Sequence, residues 1–405
     1  MKTTGDQQLV KHINRSVLLR LVRARPGLSR AQLATESGLT KSTVGLLTKE
    51  LLEEGWLEES DVTTQAGLGR PSTPLQINGK TRGLMGVELA VDCIRAVGVS
   101  LLGEVICSEH EKLNSLVPDQ VCQQLARLVA KVYAQLVYSG YQPSGLGVGL
   151  PGAFDEATGA VWFAPNLAWR QVNILPKILS ALGAEGIPSM PVHVQNDADA
   201  GALSEYEFVS GVTNSALVFV ACGVGVGAGI VLNDRLFTGA QGMAGEIGHS
   251  IMQISGPLCS CGRLGCAETF IGAKAVARDI AETGHANQAG TYLGILIHNL
   301  WTTFNPSVIV LGGASCIENP HMVRVAQDVL REHAARSGMS APPLRTARYG
   351  LLASAVGAAA LVLHHYLQPL ATKQAQLVRQ LGDAEIPELP PTSLNKGQDR
   401  AIIFS

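Results

Sequence analysis

The sequence predicts an α/β protein, with a small N-terminal winged helix-turn-helix ahead of a larger, two-lobed α/β body. Three observations carry this. Residues 14–54 hold three short helical periods separated by capping and turn residues. From about residue 82 strands alternate with amphipathic helices, and that alternation runs twice, with glycine turns at strand ends. At 405 residues, 46% hydrophobic and 16% charged, the chain can bury large cores and is not disordered in composition. The opening "MKTTGDQQLVKHINRS" has no apolar leader, so a cytoplasmic protein is expected. Charge is uneven: residues 1–80 carry 11 Lys+Arg against 8 Asp+Glu, and the remainder 20 against 25. A basic head on an acidic body fits a nucleic-acid module joined to a small-molecule or protein-binding body.

In the head, "RSVLLRLVRA" places Val17, Leu18, Leu21 and Val22 on one stripe. Ser29 followed by Gln32 is a capping box, and Ala31, Leu33 and Ala34 give the second helix a short apolar face. Gly38-Leu39 makes the turn and Thr40 caps the third helix. There Val44, Leu47 and Leu51 should face the core, leaving Lys41, Ser42, Thr43, Gly45, Thr48 and Lys49 outward. Small polar groups and cations at a helix N-terminus suit base reading in the major groove; the capping Thr40 belongs to that DNA-facing set, and Arg30 joins it from the second helix. "GWLEESDVTTQAGLGRPSTPLQING" then reads as a wing, with Arg70 near its tip for a narrow minor groove. A three-helix protein-binding module is the competing reading. One such module reads few base pairs, so a homodimer on a two-fold operator is expected, with a homotetramer left open.

The body begins with "GLMGVELAVDCIRAVGVSLLGEVI" as strands, then an amphipathic helix, then "GLGVGLPGAF" as a buried strand ending in a Pro-Gly loop. "VHVQNDADAGALSEYEF" is a strand running into a helix, with Asn196 and Asp197 at the junction. Ser215–Leu232 carries no charge for eighteen residues, the length of a minimal membrane span. Glycines at every second position (Gly223, Gly225, Gly227, Gly229) favour strand, turn and strand instead, so no membrane insertion is expected. The expected division is a head over 1–81, a first lobe over 82–196 and a second lobe over 197–370.

The stretch "EIGHSIMQISGPLCSCGRLGCAETF" (Glu246–Phe270) is the chemical centre. His249, Cys259, Cys261 and Cys266 have the number and softness of ligands for one tetrahedral Zn2+ with no open position, a structural site. A redox pair or buried free thiols are the competing readings. With one nitrogen of His249 on the metal, the other is fixed toward its surroundings. Glu246 and Glu268 stand at either edge, where carboxylates can accept hydrogen bonds from hydroxyls. Asn196 and Asp197 read equally as ligand contacts or as a helix N-cap.

"GLPGAFDEATGAVWFAPNLAW", "QNDADAGALSE", "AGEIGH", "CSCGRLGCAE" and "NPSVIVLGG" together resemble the ROK family of sugar kinases and sugar-responsive repressors, over about residues 82–365. The winged head places the resemblance on the repressor side. It implies an actin-like, ribonuclease H-like body, with a C-terminal helix in about 371–405 packing back on the first lobe. It also implies zinc on the same four residues. Sugar contacts are implied at Asn196, Asp197, Glu246, His249 and Glu268, with Gly152 and Asn166 as further contributors. In kinases of the family Asp197 would be the catalytic base. Their first phosphate loop has an acidic residue followed by two glycines, threonine and lysine. Here the chain reads Glu88-Leu89-Ala90-Val91-Asp92-Cys93, and Val224 stands where kinases usually carry threonine. A repressor rather than an enzyme is therefore expected, released from operator DNA by a sugar or sugar phosphate. Control by a docked phosphotransferase-system protein, or residual kinase activity, are the alternatives. Arg170 and Arg263 read as surface charges or phosphate partners, and His364-His365 as the polar end of an apolar helix.

Overall fold

The computed structural model describes residues 7–60, 73–155, 159–209, 216–240 and 242–368. The head comprises α1 (Gln7–Ala24), α2 (Arg30–Ser37) and α3 (Lys41–Glu53), followed by β1 (Leu57–Glu59) paired antiparallel with β2 (Leu75–Ile77). Ser29 and Gln32 cap α2 reciprocally, and the Thr40 hydroxyl accepts from the Thr43 amide at 3.2 Å. Leu18, Leu19, Val22, Leu33, Val44, Leu47 and Leu51 form the core. Leu19 belongs to it although the helical stripe read from sequence omits it, and Ala31 is exposed. Thr48 also departs from expectation. It is fully buried, and its hydroxyl donates back to the Val44 carbonyl at 2.7 Å. Position 48 falls at i+4 from Val44, on the inward stripe, so it is withdrawn from any DNA-facing set. Arg70 lies outside the described residues.

The first half of the body runs β3 (Arg82–Leu89), β4 (Cys93–Ser100), β5 (Val105–Lys112), α4 (Pro118–Tyr138), β6 (Gln142–Leu150), β7 (Ala153–Asp155), β8 (Ala160–Ala164), β9 (Trp169–Asn173), α5 (Ile174–Ala184), β10 (Val192–Asn196) and α6 (Asp197–Phe208). The second runs β11 (Leu217–Cys222), β12 (Val226–Leu232), β13 (Arg235–Leu236), α7 (Glu268–Ile271), α8 (Ala273–Thr283), α9 (Asn287–Phe304), β14 (Val308–Gly312), α10 (Ala314–Ile317), α11 (Pro320–Arg336), β15 (Leu344–Thr346) and α12 (Ala353–Leu367). The first sheet has the order β10-β6-β3-β4-β5 and the second β15-β14-β11-β12-β13. Both are built as two antiparallel hairpin pairings plus two parallel ones, so one topology occurs twice. A small β7-β8-β9 sheet is appended to the first half. Within the uncharged stretch read from the sequence, Leu217–Cys222 and Val226–Leu232 form the β11–β12 hairpin.

Each half ends in a helix, and each of these helices packs on the sheet of the other half. Helix α6 lies on β11 and β12, and α12 lies on β3, β4 and β6; the two also pack on each other. Small residues permit this. A Cβ on Gly357 would stand 1.6 Å from the Ala200 carbonyl oxygen, and one on Gly147 would stand 1.7 Å from that of Ala358. The span Gly350–Leu367 is apolar and long enough to cross a bilayer, and here it is a core helix, mostly buried. Although α12 falls within 197–370, its sheet contacts are with the first half. Residues 371–405 lie outside the described residues. His364 is not a solvated end either: it is 7% exposed, with Nδ1 2.6 Å from Glu207 Oε1, while His365 stacks on His193. A hydrophobic-pattern reading misses this because the partner sits 157 residues away.

Candidate functional site

Between the halves lies a cleft of about 250 Å³, lined by the turn after β3, the Gly152 loop, the α6 N-terminus, the β11–β12 glycine turn and the loops bearing Glu246, His249 and Glu268. Strand β10 delivers Asn196 as the N-cap of α6. Its oxygen accepts from the amides of Ala198 (2.8 Å) and Asp199 (3.2 Å), and its nitrogen donates to the Gly152 carbonyl (3.0 Å). The Asn196 carboxamide therefore locks the Gly152 loop to α6. Asp197 accepts from the Ala198 amide at 2.8 Å, and burial raises its carboxyl to about 6. Asn166, in a 3-10 turn after β8, lines the same cavity.

His249, Cys259, Cys261 and Cys266 present ligand atoms that all lie within 4.8 Å of one another. His249 Nδ1 is 3.7 Å from Cys259 Sγ, and the Cys261 and Cys266 sulfurs are 3.7 Å apart. Thiolates at the usual zinc bond length of about 2.3 Å sit about 3.8 Å apart on a tetrahedron, so the donor set fits the ion. Gly262 and Gly265, both with positive φ, fold the backbone tightly between the cysteines. Burial holds His249 below its usual range, which favours the neutral imidazole a metal requires. Its Nε2 points the other way, 3.8 Å from Glu246 Oε2. Glu268 joins the metal loop to the glycine turn, with one oxygen accepting from the Ser260 hydroxyl and the other from the Val226 amide, each at 3.3 Å. Burial, then Asp197 and Glu268, pushes Glu246 up to about 7.

Two sequence matches decide the lineage. Residues 84–365, more than half of the chain, match the model of the ROK family, and residues 16–61 match the IclR helix-turn-helix domain. The chain belongs to the ROK family. It is a transcriptional regulator of that family with a helix-turn-helix head. It is similar to the xylose repressor of Bacillus subtilis (strain 168), 28% identical over 384 residues covering 90% of this chain and 98% of that one. Its fold is similar to that of a ROK family transcriptional regulator described as a homolog of the E. coli MLC protein (TM-score 0.72, 24% identity, 91% of this chain and 100% of that one). It is also similar to that of a ROK family glucokinase from Streptomyces griseus in complex with glucose and AMPPNP (TM-score 0.59, 24% identity, 69% and 98%).

In this ROK regulator the far half of the cleft carries a pair that sequence reasoning passed over. Glu88 and Arg95 face each other across the β3–β4 hairpin, and the guanidinium donates to the carboxylate at 3.0 Å. Burial, opposed by Arg95, raises Glu88 to about 7. The signal was one arginine in an otherwise apolar strand, "CIRAVGVS". Ala90, Val91 and Asp92 form the adjoining turn, and Val224 is exposed at the opposite lip. Arg170 stacks over Phe163, while Arg263 is exposed beside the cysteine loop; neither lines the cleft.

On the head, Thr40, Lys41, Ser42 and Lys49 are exposed on α3 and Thr43 is half-buried. Arg30 is held by Glu59 at 2.6 Å, which fixes it beside the wing. Leu46 is 59% exposed between them, an apolar group for which the sequence pattern provided no role.

Proposed function

We propose that this ROK regulator is a repressor that binds operator DNA through α3 as a homodimer and is released by a neutral monosaccharide in the cleft. It acts in the cytoplasm, with one structural Zn2+ on His249, Cys259, Cys261 and Cys266. One observation carries the choice of ligand. Glu88, Asp92, Asp197, Glu246 and Glu268 line the cavity; of the two basic side chains among its described lining residues, Arg95 is taken by Glu88, and His249, held below its usual range, is committed to the cysteine cluster. Such a cavity offers acceptors to hydroxyls and repels a phosphate. The zinc would supply no chemistry beyond fixing the loop; Asp197, Glu246 and Glu268 would hold the sugar hydroxyls, and Asn196 with Gly152 would orient the α6 end. The same charges, with side chains at Ala90–Asp92 in place of a close-approach glycine loop, disfavour a nucleotide polyanion.

Titration calorimetry with D-xylose, D-glucose, N-acetyl-D-glucosamine and their phosphates tests this. Heat with a free sugar and none with its phosphate is expected, and a coupled ADP assay should show no turnover. Heat only with phosphates would sink the neutral-ligand reading; heat with none would favour control by a docked protein. Asp197 gives a pH signature. Its folded value of about 6 lies above the unfolded carboxylate, so ionising it costs fold stability as pH rises through that window. Sugar binding needs ionised acceptors, so affinity should fall about tenfold from pH 7.5 to pH 5. Asp197→Asn should bind weakly and lose only its own share of that slope, because Glu246, raised to about 7, titrates in the same window. On the head, Lys41→Ala should weaken operator binding and lower the salt slope by about 1 in a gel-shift series, with sequence preference kept.

A further inference from the structure

The head is fastened to the ends of the two crossed helices whose other ends line the cleft. Asn196 and Asp197 open α6, and Ala353 and Ser354 open α12; all four line the cavity. At the opposite ends, α1 grips both helices. His12 Nε2 lies 3.0 Å from the Tyr366 carbonyl oxygen, Arg15 donates to the Tyr366 hydroxyl at 3.2 Å, and Arg20 donates to the Leu367 carbonyl, all on or beside the α12 C-terminus. Trp56 of the head stacks on Tyr366 at 4.2 Å. Arg23 alone in this set turns to α6, donating to both the side chain and the carbonyl oxygen of Glu207. Glu207 is 5% exposed, and its other oxygen meets His364 of α12 at 2.6 Å.

We propose that Arg23 is the positioning residue through which cleft occupancy reaches the DNA-binding head, by way of Glu207 on α6 and His364 on α12. This rests on the cleft being the ligand site. A twelve-residue helix spans about 18 Å without slack, and α6 is buried along nearly its whole length, so a displacement of its capped N-terminus moves its C-terminus. A buried ionic cluster tolerates little misalignment, because a broken pair leaves an uncompensated charge. When ligand shifts α6 against α12, the Arg23–Glu207–His364 arrangement cannot satisfy both helices, and α1 must re-seat. The other α1 hydrogen bonds named here run to α12, so Arg23 supplies the hydrogen-bonded link to α6. The element that both sites bias is thus the α6–α12 pair, a stated physical link rather than mere proximity.

The test uses the full chain and a DNA fragment from its own upstream region, with whichever of D-xylose, D-glucose or N-acetyl-D-glucosamine binds the wild type. Wild type should lose operator affinity at least tenfold at saturating sugar. Arg23→Gln should bind that sugar within threefold of wild type yet lose less than threefold in operator affinity, and Arg23→Lys should restore the response. A full tenfold response in Arg23→Gln overturns the assignment. If none of the three sugars binds wild type, the ligand reading fails by itself, and the link is read without sugar from hydrogen exchange of Gln7–Ala24. Asn196→Ala, which frees the α6 N-terminus, should then speed exchange there in the wild-type background and change nothing further in Arg23→Gln. Equal, additive effects in both backgrounds would refute it.

Discussion

Stripping the metal, or replacing Cys266 by serine, is expected to abolish the ligand response and weaken sugar binding on the order of 100-fold, about 2.7 kcal/mol. Apart from its backbone hydrogen bonds, the loop that bears the cysteines has little apolar packing to hold it. Ile251, Ile254, Leu258 and Leu264 are 60%, 90%, 71% and 49% exposed, so apolar burial contributes almost nothing there. Two isolated bridges, Ile251 with Cys266 and Leu258 with Leu264, tie the strand segments together. Glu246 and Glu268 take their positions from this loop through His249 and Ser260. Without the ion, three thiols and an imidazole repack independently and both carboxylates lose their bearing. Elemental analysis should find one zinc per chain, and calorimetry on the chelated protein should show the loss. Wild-type sugar affinity in metal-free Cys266→Ser protein would remove the metal from the account of the cleft.

Gly357→Ala should cost about 3 kcal/mol of stability. The added Cβ would fall 1.6 Å from a backbone oxygen of α6, which no side-chain rotation relieves. The helices must separate, and α12 must lift from a sheet on which Gly147 already admits the Ala358 carbonyl. Gly183→Ala in α5, where a Cβ meets nothing within 4 Å, is the control and should be neutral or slightly stabilising. Urea melts of the two variants decide it; equal midpoints would mean that α6 and α12 are not in backbone contact.

Local chemistry was legible in the sequence. The capping box at Ser29 and Gln32, the helix start at Thr40 and the cluster at His249, Cys259, Cys261 and Cys266 are set by residues close along the chain, and the structure contains each arrangement. Alternating glycines likewise marked a hairpin where a hydropathy count alone would have allowed a membrane span. Thr48 shows the limit: a hydroxyl that bonds its own helix can occupy a core stripe, and polarity alone assigned it outward.

By itself the sequence determined which groups exist: a cation-bearing third helix, a soft-ligand cluster and carboxylates flanking it. Only the tertiary structure decided which of them meet. Glu88 finds Arg95 through hairpin register, Arg23 finds Glu207 across 184 positions of chain, and Glu207 finds His364 across 157. The physical reason is that pairing of buried charges is set by how helices and sheets cross; the crossing of α12 on α6 depends on the missing methyl at Gly357 and its seating on β6 on that at Gly147, whose partners no local pattern names.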